Sequence, residues 1–240
     1  TPSSIEGGVR KINERLGFRL DLIQHHWPPP FYAPLCGVIR GLERSVEKGM
    51  AWAYGLSNYH AELVEEALYC SKKIEPVSNQ VQYSLAYRSP EKKLIPLMEK
   101  TGMTLIAWSP LAKGALAGAR VATSRAQKGD PVFRVASKDE ALLRAVRELA
   151  EKHSASMAQI ALAWLVARGA VPIPGARRPE RVAEYAGSAS IRLGEQDLRL
   201  LDQASSRYLS YWGDEYRFTP MLRAVPGFLV RLLIVLGGGI

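Results

Sequence analysis

The residues able to do chemistry stand at the ends of five apolar runs. They are His26 in LDLIQHHWP (20–28), Ser57 and Asn58 in AWAYGLSNY (51–59), and Gln80 in VSNQVQY (77–83). Trp108 closes TLIAW of TLIAWSPL (104–111), and Gly175 and Arg177 close AVPIPGAR (170–177). Each has a plain structural reading when taken alone. His26 could be a core or surface histidine, Ser57 and Asn58 could only cap a helix, Gln80 could be a buried amide, and Trp108 could be core. His25 and His26 face opposite sides of a strand, so one of them at most looks into a strand-end site. Successive strand ends carry these groups, however, and in a parallel βα fold those ends converge on one mouth. Hydroxyl and amide groups from Ser57, Asn58 and Gln80, with the flat indole of Trp108, suit a planar ligand bearing a carboxamide. Nicotinamide is such a ligand.

The run IPGARRPERVAEYAG (173–187) suits a phosphate. Gly175 permits close backbone approach, a following helix offers free N–H groups, and Arg177, Arg178 and Arg181 supply fixed charge for bidentate contacts. Glu184 lies three residues after Arg181 on one helix face, where it could orient the arginine or accept from adenine or ribose. The plain alternative is a solvated basic helix start. The chain has no GxGxxG fingerprint, P-loop lysine motif, HExxH or paired CxxC, which argues against a Rossmann-type dinucleotide site and gives no sign of a metal.

The elements that position these groups alternate regularly. Helices are predicted over 3–16, 35–48, 61–73, 91–101 (interrupted by Pro96), 138–153, 156–168, 179–186 and 195–205. Strands are predicted over 20–26, 50–56, 76–83, 103–108 and 170–173. Asn58 or a neighbour is the expected cap of the 61–73 helix. Residues 109–137 lack periodicity and read as a lid over a ligand or as a disordered insertion. The 225–240 run, VPGFLVRLLIVLGGGI, is apolar but broken by Arg231 and too short for a firm membrane span. It reads as a helix packed on the domain or on a second subunit, with a peripheral membrane contact as the alternative.

Bulk properties agree with a folded α/β protein: 240 residues, 47% hydrophobic and 23% charged, bury a full core in one domain or two small ones. The net charge of +9 is scattered among acidic residues rather than gathered on one face, so a nucleic-acid partner is not expected. Cys36 and Cys70 are expected as free thiols in a reducing cytoplasm, with a structural disulfide as the minority reading.

With these motifs assembled, the chain resembles the aldo-keto reductase superfamily from its first helix to about Ser205. The likeness is carried by LDLIQHHWP, YGLSNY, NQVQYSLAYR, AWSPLAKGALAG and AQIALAWLVARGAVPIPGARRPERVAEYAG. The resemblance implies a (β/α)8 TIM-barrel fold, of which the five strands here correspond to the fourth to eighth. Residues 1–205 would form this partial barrel and 206–240 an apolar tail. It also implies NADP(H) as cofactor and an aldehyde, ketone or alcohol as substrate. His26 takes the place of the histidine that orients the substrate carbonyl. Ser57, Asn58 and Gln80 match the carboxamide-binding residues, and Trp108 the stacking ring. Ser109, Pro110, Leu111 and Ala112 match the pyrophosphate wall, with Lys113 starting the loop over the cofactor. Gly175, Arg177, Arg181 and Glu184 match the segment around the 2′-phosphate and adenine, while Tyr185 stands where the family has Asn.

The family's catalytic Asp, Tyr and Lys come from its first three βα units. The 240 residues begin with Thr1 and carry only His26 of that tetrad, which leads to the expectation of a truncated reductase. The alternative is a non-catalytic cofactor-binding or scaffold descendant, and exposed strand edges or the tail could pair copies of the chain.

Overall fold

The computed structural model describes residues 1–30 and 33–213. Five parallel strands, β1 (Leu20–His25), β2 (Ala51–Ser57), β3 (Ser78–Gln82), β4 (Thr104–Trp108) and β5 (Val171–Ile173), form one sheet in the order β1-β2-β3-β4-β5. Parallel neighbours cannot be joined by a hairpin, so the βα alternation in the sequence leads directly to this sequential order. The chain divides into two compact units, Thr1–Gln80 with Lys100–Met103, and Val81–Glu99 with 104–213.

In the first unit, α1 (Pro2–Leu16) continues through Gly7 and Gly8 because both ends are fixed: the Thr1 hydroxyl accepts from the Ser4 N–H, and Gly17 closes the helix at φ 74°. Its Asn13 Nδ2 donates to Met50 O at 2.7 Å, which ties the helix to the start of β2. Helices α2 (Leu35–Glu47) and α3 (Ala61–Cys70) bury Leu35, Ile39, Leu42, Leu63 and Val64. Glu43 of α2 receives the backbone N–H groups of Lys72 and Ile74 at 2.9 and 3.0 Å, which holds the segment leaving α3.

Strands β1 and β2 run in register from Leu20↔Ala51 to His25↔Leu56, and Ser57 pairs with Gln80 between β2 and β3. Gly55 is required where β2 meets β3, since a Cβ there would lie 2.3 Å from Ser78 Oγ and 3.0 Å from Ser78 O. Strand β1 ends one residue earlier than expected: the His26 carbonyl takes a hydrogen bond from the Asn58 side chain instead of a ladder partner.

Cys36 and Cys70 are joined in a disulfide between α2 and α3. The expectation of two free thiols is corrected, and the inference of a reducing compartment that rested on it goes too. Residues 34 apart say nothing of their separation in space, and the packing of α2 on α3 brings these two together.

The second unit contains α5 (Arg125–Gly129), α6 (Pro131–Ala136), α7 (Glu140–Lys152), α8 (Met157–Ala167), α9 (Pro179–Gly187) and α10 (Glu195–Ser205). Before them, the predicted 91–101 helix resolves into a 3-10 turn, Ser89–Lys92, and α4 (Leu94–Thr101). Pro96 falls in the first turn of α4, where an N–H has no intrahelical acceptor. Residues 109–137 are structured rather than a patternless insertion. A 3-10 segment spans Ala112–Ala117, Ser124 caps α5, and Asp130 caps α6 with Pro131 in its first position.

Trp164 of α8 is fully buried and donates through Nε1 to Asp202 at 3.0 Å. The buried Arg88 guanidinium meets Glu91 at 2.6 and 2.7 Å and Ser205 Oγ at 2.7 Å. Such closure satisfies a charge that would otherwise be costly to bury. Of residues 206–240, the first part is packed: the buried Tyr208 donates its hydroxyl to Asp139 at 2.7 Å. The predicted apolar helix over 225–240 lies outside the described residues. No described helix is long and apolar enough to cross a membrane.

Candidate functional site

Two groupings of polar residues stand at strand ends, one in each unit. In the first unit, Ser57 is the last residue of β2, and Asn58 follows in the left-handed region at φ 62°. Asn58 N donates to Gln80 O at 2.9 Å, and Ser57 Oγ donates to the same carbonyl at 3.0 Å. Asn58 Nδ2 reaches His26 O at 2.9 Å and Ser57 Oγ at 3.2 Å. Asn58 therefore links three strand ends, β1 through its side chain and β3 through its backbone N–H, and the N-cap of α3 is instead His60, without a side-chain bond. Ser57 and Asn58 are each 2% exposed. Gln80 is half-buried, and its side-chain amide has no hydrogen-bond partner among the described residues.

The structure thus brings His26, Ser57, Asn58 and Gln80 together. His26 is exposed, with its ring centroid 6.0 Å from that of Trp27. His25 points elsewhere, as strand alternation requires: its Nδ1 lies 2.8 Å from the hydroxyl of Tyr59, which is fully buried. Burial, reinforced by the neighbouring His26, pushes the His25 pKa down to about 4.

This depression has a measurable consequence. Between pH about 4 and 6.5 the unfolded chain binds a proton at this site that the folded chain refuses, so stability falls as pH drops through that window. The full effect is roughly 3 kcal/mol at its acid end, from about 1.4 kcal/mol per pKa unit. Urea unfolding at pH 7.5, 6 and 5 should show the slope, and His25→Gln should remove its histidine part. A wild-type curve parallel to that of the variant would refute it.

In the second unit, β4 and β5 pair from Ile106↔Val171 to Trp108↔Ile173, so the loops leaving them run side by side. Between these loops lies a cavity of about 570 Å³, walled by Ser109, Pro110 and Leu111 after β4, by Gly175, Arg177 and Arg178 after β5, and by Arg181 and Tyr185 of α9. Lys113, Thr123, Ser124 and Gln127 also line it. Cations from both loops and from α9 face the space, and no carboxylate is among the described lining residues. Such a cavity favours an anion with several oxygens.

Its wall is conformationally costly. Ser109, Ala112 and Lys113 have φ of 50°, 47° and 55°, a region that non-glycine residues rarely enter and that concentrates at functional sites. Gln127 steadies the opposite lip, donating from Nε2 to Lys113 O at 2.9 Å and accepting from Thr123 N at 2.9 Å. Arg181 donates to Glu184 at 2.6 Å, and Glu184 also accepts from Ser156 Oγ at 2.6 Å. The Ser156 hydrogen bond, aided by Arg181 against partial burial, lowers the Glu184 pKa, and the pair in turn raises that of Arg181. The pair orients the guanidinium beside the cavity.

Of the residues singled out from sequence, Ser109, Pro110, Leu111, Gly175, Arg177 and Arg181 meet here. Glu184 stands behind Arg181 and does not line the cavity, and Ala112 is fully buried and shapes it through its backbone. Trp108 ends β4 one residue before the wall begins. Thr123, Ser124 and Gln127 were not singled out; the Ser124-x-x-Gln127 capping box was the signal for them.

Comparison with known proteins agrees with this geometry. The sequence profile described as Aldo/keto reductase family matches residues 1–206. A putative aryl-alcohol dehydrogenase of Schizosaccharomyces pombe is 32% identical over 204 residues, 81% of this chain and 62% of its own length. The chloroplastic pyridoxal reductase of Arabidopsis thaliana is 33% identical over 195 residues, 78% of this chain and 53% of its own. The chain thus spans about six-tenths of the first of these relatives and about half of the second. Among solved structures, the thermostable aldo-keto reductase Tm1743, in complex with the inhibitor epalrestat, superposes with TM-score 0.67 at 32% identity, covering 82% of this chain and 64% of that one. Gox0644 in its apo form shares the fold, with TM-score 0.69 at 22% identity, over 84% of this chain and 65% of its own. Five parallel strands with helical crossovers and an electropositive cavity at two strand ends, together with a family profile covering residues 1–206, establish that the chain belongs to the aldo/keto reductase family.

Proposed function

We propose that this chain binds NADP(H) and serves an oxidoreductase that interconverts an aldehyde or ketone and its alcohol. The observation that carries the reading is the cavity at the ends of β4 and β5, walled by Lys113, Arg177, Arg178 and Arg181 with no carboxylate among the described lining residues. A nucleotide with a pyrophosphate and a 2′-phosphate matches that charge and those donors. Arg181, oriented by Glu184, would hold the 2′-phosphate, and the left-handed backbone over 109–113 would wall the pyrophosphate.

In the first unit, Ser57, Asn58 and Gln80 would read the carboxamide of the nicotinamide. Gln80 brings an amide with no partner among the described residues to that task. When bound, the nicotinamide supplies or takes up a hydride. His26 would orient the substrate carbonyl: its exposed ring is available, and its backbone is fixed through Asn58. Trp27, with its ring 6.0 Å from that of His26, would offer a flat apolar wall. The aromatic compounds in the names of two relatives, aryl alcohol and pyridoxal, support an aromatic carbonyl or alcohol as the first substrate class to try.

Calorimetric titration with 2′,5′-ADP and with 5′-AMP tests the central element. The 2′-phosphate should improve affinity by about tenfold or more, since a hydrogen bond to a charged group contributes roughly 1.5–3 kcal/mol. Equal affinity for the two, or no binding by a folded sample, would overturn the reading.

A further inference from the structure

His25 and the fully buried Tyr59 meet beside the Ser57–Asn58 turn without belonging to it. Their contact sits at the last rung of the β1–β2 ladder, where His25 pairs with Leu56, and joins β1 to the residue that follows Asn58. Tyr59 is fixed from two sides. Its hydroxyl lies 2.8 Å from His25 Nδ1, with the rings edge-on at 73°, and its carbonyl accepts from Asn79 Nδ2 of β3 at 2.8 Å. Asn79 is itself fully buried, and its Oδ1 has no partner among the described residues. That amide is thus committed to the single bond that holds Tyr59.

Between Ser57, bonded to Gln80 O, and Tyr59, clamped in this way, Asn58 is kept at φ 62°. Asparagine enters that region more readily than other residues with a side chain, and the bonds on either side of Asn58 select it over the extended alternative. Packing alone would be served by an apolar pair. A part-buried imidazole and a fully buried phenol impose a direction as well, since a hydrogen bond fixes the angle between the two rings as packing does not.

We propose that His25 and Tyr59 are a positioning pair that sets the Ser57–Asn58 turn, and thereby the nicotinamide end of the cofactor site. The pair touches neither cofactor nor substrate and acts through Asn58. This inference rests on the NADP(H) reading above. It predicts that loss of the pair weakens the whole dinucleotide but not a fragment that lacks the nicotinamide.

The test compares NADPH, followed by fluorescence, with 2′,5′-ADP, followed by calorimetry, on the full chain and its variants. Tyr59→Phe removes only the hydroxyl and should raise the NADPH Kd about fivefold, the worth of one neutral hydrogen bond, with 2′,5′-ADP unchanged. His25→Leu should do the same, the double variant should lose no more than either single, and His25→Gln, which can still bond the phenol, should recover most of the affinity. Urea unfolding of each variant confirms the fold, and should Tyr59→Phe fail to fold, the His25→Leu and His25→Gln pair carries the comparison.

Unchanged NADPH affinity in the variants, or a loss shared equally by 2′,5′-ADP, would overturn the proposal while leaving the cofactor reading intact. Wild-type protein that binds 2′,5′-ADP without gaining from the nicotinamide half would overturn the positioning role alone. Wild-type protein that binds neither would overturn both.

Discussion

Loss of the Cys36–Cys70 disulfide is expected to lower the unfolding free energy by about 3–4 kcal/mol, the value for closing a loop of this length in the unfolded chain. The residues are 34 apart, and the loop they close contains most of α2, all of β2, the Ser57–Tyr59 turn and α3. Cutting the link therefore frees the whole segment that presents Asn58. Cys70 is 1% exposed and Cys36 half-buried, so a Cys36→Ala/Cys70→Ala double variant also loses the buried Cys70 sulfur, and reduction of the wild type isolates the link itself. Urea unfolding of wild-type protein with and without dithiothreitol, beside the double variant, measures the effect. Reduced wild type and the variant should both unfold at lower urea than the oxidised protein. Superimposable curves for oxidised and reduced protein would mean that the link contributes nothing to the folded state.

The second large effect concerns the cofactor. Arg181→Ala is expected to raise the NADPH Kd about tenfold and to leave the NADH Kd unchanged. A charge-assisted bond to phosphate contributes roughly 1.5–3 kcal/mol. The lower end applies because the Arg181 side chain is 45% exposed and must exchange part of its pairing with Glu184 for the ligand. Glu184 keeps its hydrogen bond from Ser156, so the variant does not strand a carboxylate. Fluorescence titrations with both nucleotides decide the matter. Equal losses for NADPH and NADH would assign Arg181 a structural role, and no loss for either would remove it from the site.

The strand ends were legible because each couples an apolar run to a turn residue with a physical job. Gly55 is glycine because Ser78 leaves no room for a Cβ, and the Pro28–Pro30 run follows close on the end of β1. The basic start of α9 is legible for the same reason: Gly175, Pro179 and three arginines in a short span describe a basic helix entry. Residues 109–137 were harder to read, because helices of five and six residues have no period to detect and announce themselves only by their caps, Ser124 and Asp130. Gln127, which bridges to Lys113, has the capping box as its only local signal.

Asn58 or a neighbour is the expected cap of α3 because Asn before a helix usually is one. The left-handed backbone of Asn58 turns the side chain toward His26 O instead, and that depends on β1 lying beside β2. The disulfide and the His25–Tyr59 contact share this character: both join residues about 34 apart, through the packing of α2 on α3 and the register of β1 with β2. Local sequence carries the strand-end chemistry, whereas contacts across strands and helices decide how tightly it is held.

The measurement that bears most directly on the account is a fluorescence titration of the folded 240-residue chain with NADPH, with NADH as control. Saturable binding with a preference of about tenfold for NADPH is the predicted result, the preference arising from the arginines at the start of α9. No saturable change, or equal affinity for the two nucleotides, would contradict the assignment of the β4–β5 cavity to the phosphates of NADP(H).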